Sequence, residues 1–252
     1  MSLLDSTLKR FLIALQFLTM LPVRIKTGIK KEDFGASLLY FPLVGLLIGL
    51  LLAGSVFLFS FLPPLIKGAM ILIISIFITG GIHLDGFADT CDGFYGNRSK
   101  EKILEIMRDS RIGVMGAIGI FSLLLLKFGI IASLPDAVLW KALIEMAVFA
   151  RWSQALACSI SCYARSEGKA GHFIGYARKK DVFIGSIFTL SLFLLLMQLK
   201  GLILFFLSLL SALLFLRYII KKIGGMTGDT IGAISEFSEA ITLLLCALVW
   251  SH

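Results

Sequence analysis

Three aspartates, Asp85, Asp89 and Asp92, recur at i, i+4 and i+7 within GGIHLDGFADTCDGFYGNRSKEKILEIMRDSRIGVMGAIG, the stretch from Gly80 to Gly119. On a helix of 3.6 residues per turn they fall at roughly 0°, 40° and 340°, so three carboxylates share a stripe about 60° wide. Like charges this close do not all ionise without a counterion. Oxygen-only donors suit magnesium, or manganese, better than zinc, which prefers the histidines and cysteines this stretch largely lacks. The chemistry suggested is a divalent metal holding a phosphorylated substrate. The plainer reading is a solvated acidic helix start beside a membrane.

Further polar groups follow. Ser99 is suited to cap a short helix with Glu101 in its first turn and Ile103, Leu104 and Met107 on one apolar face. That helix is expected to end near Gly113 and to return Arg108, Asp109, Ser110 and Arg111 to the aspartate stripe. Arg111 suits bidentate phosphate binding, whereas for Arg108 a surface ion pair is at least an equal reading. His83 is a candidate base or ligand, set against the commoner role of a hydrogen-bonded packing residue. Downstream, YARSEGKAGHF sets Arg165, Lys169 and His172 among glycines, either as a substrate-binding loop or as a charged turn facing lipid headgroups. Asp229, Glu236 and Glu239 in GGMTGDTIGAISEFSEA stand at i, i+7 and i+10, on one broad helical face. Carboxylates entering an apolar helix mark a functional site by default. Both acidic clusters open on Gly-Gly followed after three residues by Asp, a match too short to establish a repeat.

The elements that must position these groups are membrane helices. With 58% hydrophobic residues among 252 and a mean hydropathy of +0.95, the chain is too apolar for a soluble domain. Seven apolar runs approach bilayer length, at about Ala36–Leu62, Lys67–His83, Val114–Leu134, Val138–Cys162, Val182–Leu199, Leu202–Ile220 and Ile231–Trp250. A shorter run, Leu8–Val23, reads as an interfacial or re-entrant helix. The expected fold is therefore an all-α polytopic bundle of about seven transmembrane helices plus an N-terminal interfacial helix, forming one domain over residues 1–252. The net charge of +8 does not indicate nucleic acid, because the basic residues sit in short loops between apolar runs. Lys and Arg number 19 on the side of the N-terminus against Lys67, Lys127, Lys141 and Lys200 on the other, with Arg151 inside a helix. This bias puts the N-terminus, with Lys26, and all three polar clusters in the cytoplasm, and His252 outside.

Cys91, Cys158, Cys162 and Cys246 are scattered and suggest no disulfide framework. No GxxxxGK[ST] stretch and no GxSxG elbow occur. Paired carboxylate groups with nearby arginines instead suit metal-assisted phosphoryl transfer.

HLDGFADTCDGFYG with ILEIMRDSRIGVMG closely resembles the signature of the cobalamin synthase family, the adenosylcobinamide-GDP ribazoletransferases. The resemblance extends through FLTMLPV, YFPLVGLLIG, YARSEGKAGHF and GGMTGDTIGAISEFSE, and so covers nearly the whole chain. Cys91, where a small residue such as alanine is usual, is a mild departure. The resemblance implies a magnesium-requiring enzyme of a prokaryotic inner membrane, with oligomeric state left open. It would join adenosylcobinamide-GDP to the 5'-hydroxyl side of α-ribazole, or of its 5'-phosphate, with release of GMP. In that setting Asp85, Asp89 and Asp92 are expected to ligate metal, with Asp109 as a further ligand or base, and Arg111 to stabilise phosphate. Asp229, Glu236 and Glu239 would complete a second metal or hydroxyl-orienting group, with His83, Ser110, Arg165, Lys169 and His172 binding substrate.

Two rivals are weaker. The DGxxAR signature of a CDP-alcohol phosphotransferase is not met, since Asp85-Gly86 is followed by Phe87-Ala88-Asp89. An ion-coupled transporter would use acids such as Glu145, Glu236 and Glu239 near the bilayer midplane, whereas most acids here gather at helix ends.

Overall fold

A computed structural model describes residues 3–25 and 28–250; Lys26 and His252, used above for topology, lie outside them. Helices are the regular elements among the described residues, and β pairing is confined to one isolated bridge. In chain order they are α1 (Leu3–Leu18), α2 (Lys31–Ser37), α3 (Phe41–Leu58), α4 (Pro64–Thr79), α5 (Ile82–Phe94) and α6 (Lys100–Ile106). Then come α7 (Val114–Ser133), α8 (Asp136–Ile160), α9 (Ala170–Gly175), α10 (Lys179–Ile223) and α11 (Gly228–Trp250).

Helix α10 is not one rod. At Gln198 the backbone leaves helical geometry (φ 53°, ψ −133°) and the chain folds back, so that Phe193 and Phe205 stack edge-on at 5.7 Å. The turn lies beside the end of α11, where Lys200 Nζ donates to the Val249 carbonyl at 3.1 Å. At the opposite end of the bundle Lys222 Nζ reaches the Gly96 carbonyl at 3.5 Å. Seven helical passes thus run between the two ends of the bundle: α3, α4, α7, α8, the two arms of α10, and α11. By length and apolarity taken helix by helix, four are candidate membrane spans, or five with the bent pair α4–α5. The expected seven exceeds this because the α10 arms form one continuous element and α4 has only 16 residues. Helix α8 is long enough, but carries Glu145, Arg151 and Gln154 within its length.

The expected span Lys67–His83 is interrupted. Gly80 and Gly81 both take left-handed φ, 65° and 68°, which only glycine adopts without strain, and α5 leaves α4 at 91°. His83 therefore starts a new helix instead of ending a span. Likewise Leu8–Val23 is not one helix: α1 stops at Leu18 and the chain continues without regular structure, the Val23 amide turning back to the Leu21 carbonyl at 2.8 Å. Ser99 caps α6 as expected, accepting from the Lys102 amide at 3.3 Å, but α6 ends at Ile106, short of Gly113.

The centre of the bundle is α8, enclosed by α3, α10 and α11. Within this apolar core lies a closed ion cluster. Lys127 on α7 donates to Glu236 at 2.5 Å and Glu239 at 2.6 Å on α11, and Arg151 on α8 pairs with Glu239 and donates to Ser235 Oγ at 3.2 Å. All four charged groups are at most 4% exposed, and two cations balance two carboxylates. Lys127, counted above with the residues facing outward, is thus an interior residue.

Candidate active site

Helix α5 and the start of α11 cross in backbone contact. A Cβ on Gly86 would lie 2.6 Å from the Asp229 carbonyl oxygen, and one on Gly232 3.1 Å from the His83 Cα. Small residues at the crossing let the acids of α5 and α11 approach. Asp85, Asp92 and Asp229 all act electrostatically on Asp89, with Arg165 as the neighbouring cation.

Arg165 reaches this crossing because the segment after α8 is clamped to the turn before α11. The Ala164 amide donates to the Met226 carbonyl and the Met226 amide to the Cys162 carbonyl, each at 2.8 Å. Arg165 Nη2 then pairs with Asp229 Oδ2 at 2.7 Å, and Thr227 Oγ1 donates to the same oxygen at 3.3 Å. Arg165 Nε is buried with no partner, leaving a guanidinium donor free for a substrate oxygen. Burial raises the Tyr163 hydroxyl above its ordinary range, so it stays protonated.

Beneath the Tyr163–Lys169 segment lies a cavity of about 470 Å³ lined by His83, Asp85, Arg165, Lys169 and Asp229. These five are sequence-predicted site residues, drawn from three separate stretches. A wider hollow of about 890 Å³ opens on the other side of the segment and takes in His172, whose ring packs on Phe34 at 5.7 Å. Two further residues line the smaller cavity: Arg108, which the sequence left open between this site and a surface ion pair, and Gln154, which was not expected there. Gln154 carried a signal, being an amide inside an apolar run.

Other expected site residues lie elsewhere. Asp109 and Arg111 form an exposed bidentate pair, Nη2 to Oδ2 at 2.7 Å and Nε to Oδ1 at 3.0 Å, and Ser110 is exposed between them. Those hydrogen bonds from Arg111 hold the Asp109 carboxyl down at about 2. None of Asp109, Ser110 and Arg111 lines the cavity, although Arg108 beside them does. Glu236 and Glu239 are spent in the Lys127–Arg151 cluster, about two helical turns deeper than Asp229.

Asp92 shares the α5 stripe but faces the start of α7, accepting from the amides of Gly113 at 2.7 Å and Gly116 at 2.8 Å. These are the N-cap and N3 amides, the same two donors a capping box satisfies, here met by another helix. Asp92→Ala is expected to destabilise the protein by about 1–3 kcal/mol, read as a lower unfolding midpoint in detergent. An unchanged midpoint would show that this cap is dispensable.

Among the described residues no three His, Cys, Asp or Glu side chains converge into a preformed metal cage. Magnesium does not need one, since it is commonly held by one or two carboxylates together with substrate phosphates and water. Asp85, Asp89 and Asp229 offer the oxygen donors that such binding requires.

A family profile described as Cobalamin-5-phosphate synthase matches residues 10–247. An adenosylcobinamide-GDP ribazoletransferase of Clostridium acetobutylicum is 38% identical, covering 94% of each chain. Relatives of the same name from Acetivibrio thermocellus and Alkaliphilus metalliredigens are 37% identical, over 94% of this chain and 97% of the relative, and 38% identical, over 96% of each. No solved structure matches the chain. Matched over nearly its whole length and with the acidic α5 motif at its site, this membrane-embedded transferase belongs to the cobalamin-5-phosphate synthase family of late cobalamin biosynthesis.

Proposed function

We propose that the chain transfers the phosphocobinamide part of adenosylcobinamide-GDP to α-ribazole or its 5'-phosphate, releasing GMP, at the crossing of α5 and α11. The observation carrying this reading is the pairing of α5 carboxylates with Asp229 beside a buried, partly unpaired Arg165. Asp85 and Asp89, with Asp229, would hold magnesium, or manganese in its place. The metal supplies charge neutralisation of the pyrophosphate oxygens and the GMP leaving group. Arg108, Arg165 and Lys169 bind phosphate oxygens, and the wide hollow beyond receives the bulk of the donor.

A ribosyl hydroxyl forms a new P–O bond to the phosphorus next to cobinamide. The P–O bond to GMP breaks, and the hydroxyl proton passes to a carboxylate of the site. An acceptor that keeps its 5'-phosphate in the product must attack through a ring hydroxyl. For the phosphorylated acceptor the attacking oxygen is therefore 2' or 3' in place of the 5'-hydroxyl side expected from the sequence, and α-ribazole is proposed to use the same oxygen. The basic residues around the site favour a cytoplasmic position in a bacterial cell membrane. The transporter alternative is disfavoured because Glu236 and Glu239 are already neutralised by protein cations.

The test is GMP release by detergent-purified protein given both substrates and magnesium. Release coupled to cobalamin formation is expected, abolished by EDTA and restored by excess magnesium. Well-folded protein that releases no GMP would overturn the reading.

A further inference from the structure

Gln154, fully buried on α8, meets His83, 3% exposed on α5, with their Nε2 atoms 3.0 Å apart. The amide also donates to the Ile231 carbonyl at 3.3 Å. Two buried atoms are left over: His83 Nδ1 and Gln154 Oε1 have no partner in the protein. Both residues line the 470 Å³ cavity that holds Asp85 and Asp229.

With the Gln154 amide donating to His83 Nε2, the ring proton sits on Nδ1. His83 then offers a free N–H and Gln154 a free carbonyl. The Ile231 carbonyl fixes the amide this way round, because turned over Gln154 Oε1 would face a second acceptor. So placed, the pair presents one donor, His83 Nδ1–H, one acceptor, Gln154 Oε1, and no net charge. A hydroxyl or a carboxamide satisfies both halves. A phosphate or carboxylate oxygen only accepts, and would leave a buried acceptor unpaired.

We propose that His83 and Gln154 are the subsite for the ring hydroxyl of the ribosyl acceptor that does not react, turning its vicinal neighbour toward Asp85 and the reacting phosphorus. This rests on the reaction proposed above. A cavity of about 470 Å³ is within the range that encloses one drug-sized ligand, which suits a nucleoside. The corrin, whose carboxamide arms share the same hydrogen-bonding pattern, has the wider hollow available beyond the Tyr163–Lys169 segment.

The experiment is steady-state kinetics of wild type and Gln154→Met with α-ribazole and its 2'-deoxy and 3'-deoxy analogues. One analogue lacks the attacking oxygen and is inert. For the other, wild type is expected to lose about ten- to a hundredfold in kcat/KM, the cost of leaving buried polar groups unpaired. Gln154→Met should lose a similar factor with α-ribazole, and no more when both changes are combined, because each removes the same contact. The KM for adenosylcobinamide-GDP should not move. His83→Gln provides the same cycle should Gln154→Met fail to fold. Losses that multiply would overturn the subsite. A change confined to the KM of adenosylcobinamide-GDP would assign the pair to a corrin carboxamide instead. No effect of either substitution would make it a packing pair. Wild type inert with every acceptor would remove the proposed reaction itself, and the subsite with it.

Discussion

Asp89→Asn is expected to lower kcat for GMP release about a hundred- to a thousandfold, about 3–4 kcal/mol of transition-state stabilisation, without loss of folded protein. The substitution keeps the side chain's size and removes one negative charge where Asp85, Asp92 and Asp229 already crowd around Asp89. Relief of that repulsion should leave stability unchanged or slightly raised, so the two readouts move apart. The magnesium dependence should shift to higher concentration in the variant, because a carboxylate ligand has become a neutral amide. Activity at the wild-type level with an unaltered magnesium profile would exclude Asp89 from the metal site.

Lys127→Met should be the most destabilising single change in the bundle interior. It leaves Glu236 and Glu239 facing one another with Arg151 as their remaining cation, all in surroundings at most 4% exposed. Breaking a buried ion network from one side costs about 3–5 kcal/mol, mostly the desolvation of the charge left behind. The measurement is the unfolding midpoint in detergent. Lys127→Met combined with Glu236→Gln should recover much of the loss, since one carboxylate then balances one cation. A single variant as stable as wild type would mean that water reaches this cluster.

Helical periodicity made much of the site legible. Asp85 and Asp89 sit one turn apart on α5, and Asp85 shares one cavity with Arg165, Lys169 and Asp229, as their residue types suggested. The apolar runs likewise located the passes of the bundle, including both arms of α10. Depth was what the sequence concealed. Asp229 and Glu236 lie on the same stripe of α11, yet seven residues separate them by about 10 Å along the axis, enough to place one at the cavity and the other in the core. Asp92 shares the α5 stripe but faces the open amides of α7, a partner 21 residues away that no local pattern announces. Asp109 and Arg111 pair with each other because the chain between them turns, so the nearest cation to that carboxylate is its own neighbour. The Gly-Gly repetition looked accidental as a string of letters. In three dimensions Gly80 and Gly224 each end a helix with left-handed φ, 65° and 73°, and each launches one of the two helices that cross at the site.

The buried ion cluster also sets a timetable for biogenesis. Lys127 precedes its partners by 109 and 112 residues, and Arg151 precedes Glu239 by 88. At a synthesis rate of about 5–20 residues per second, both cations exist for roughly 4–20 s before the carboxylates that neutralise them have been made. Helices α7 and α8 therefore emerge carrying charges that cannot yet be buried, and final packing waits for α11 to arrive. A ribosome stalled before Glu236 would leave a nascent chain with two unpaired cations, a ready target for membrane quality control.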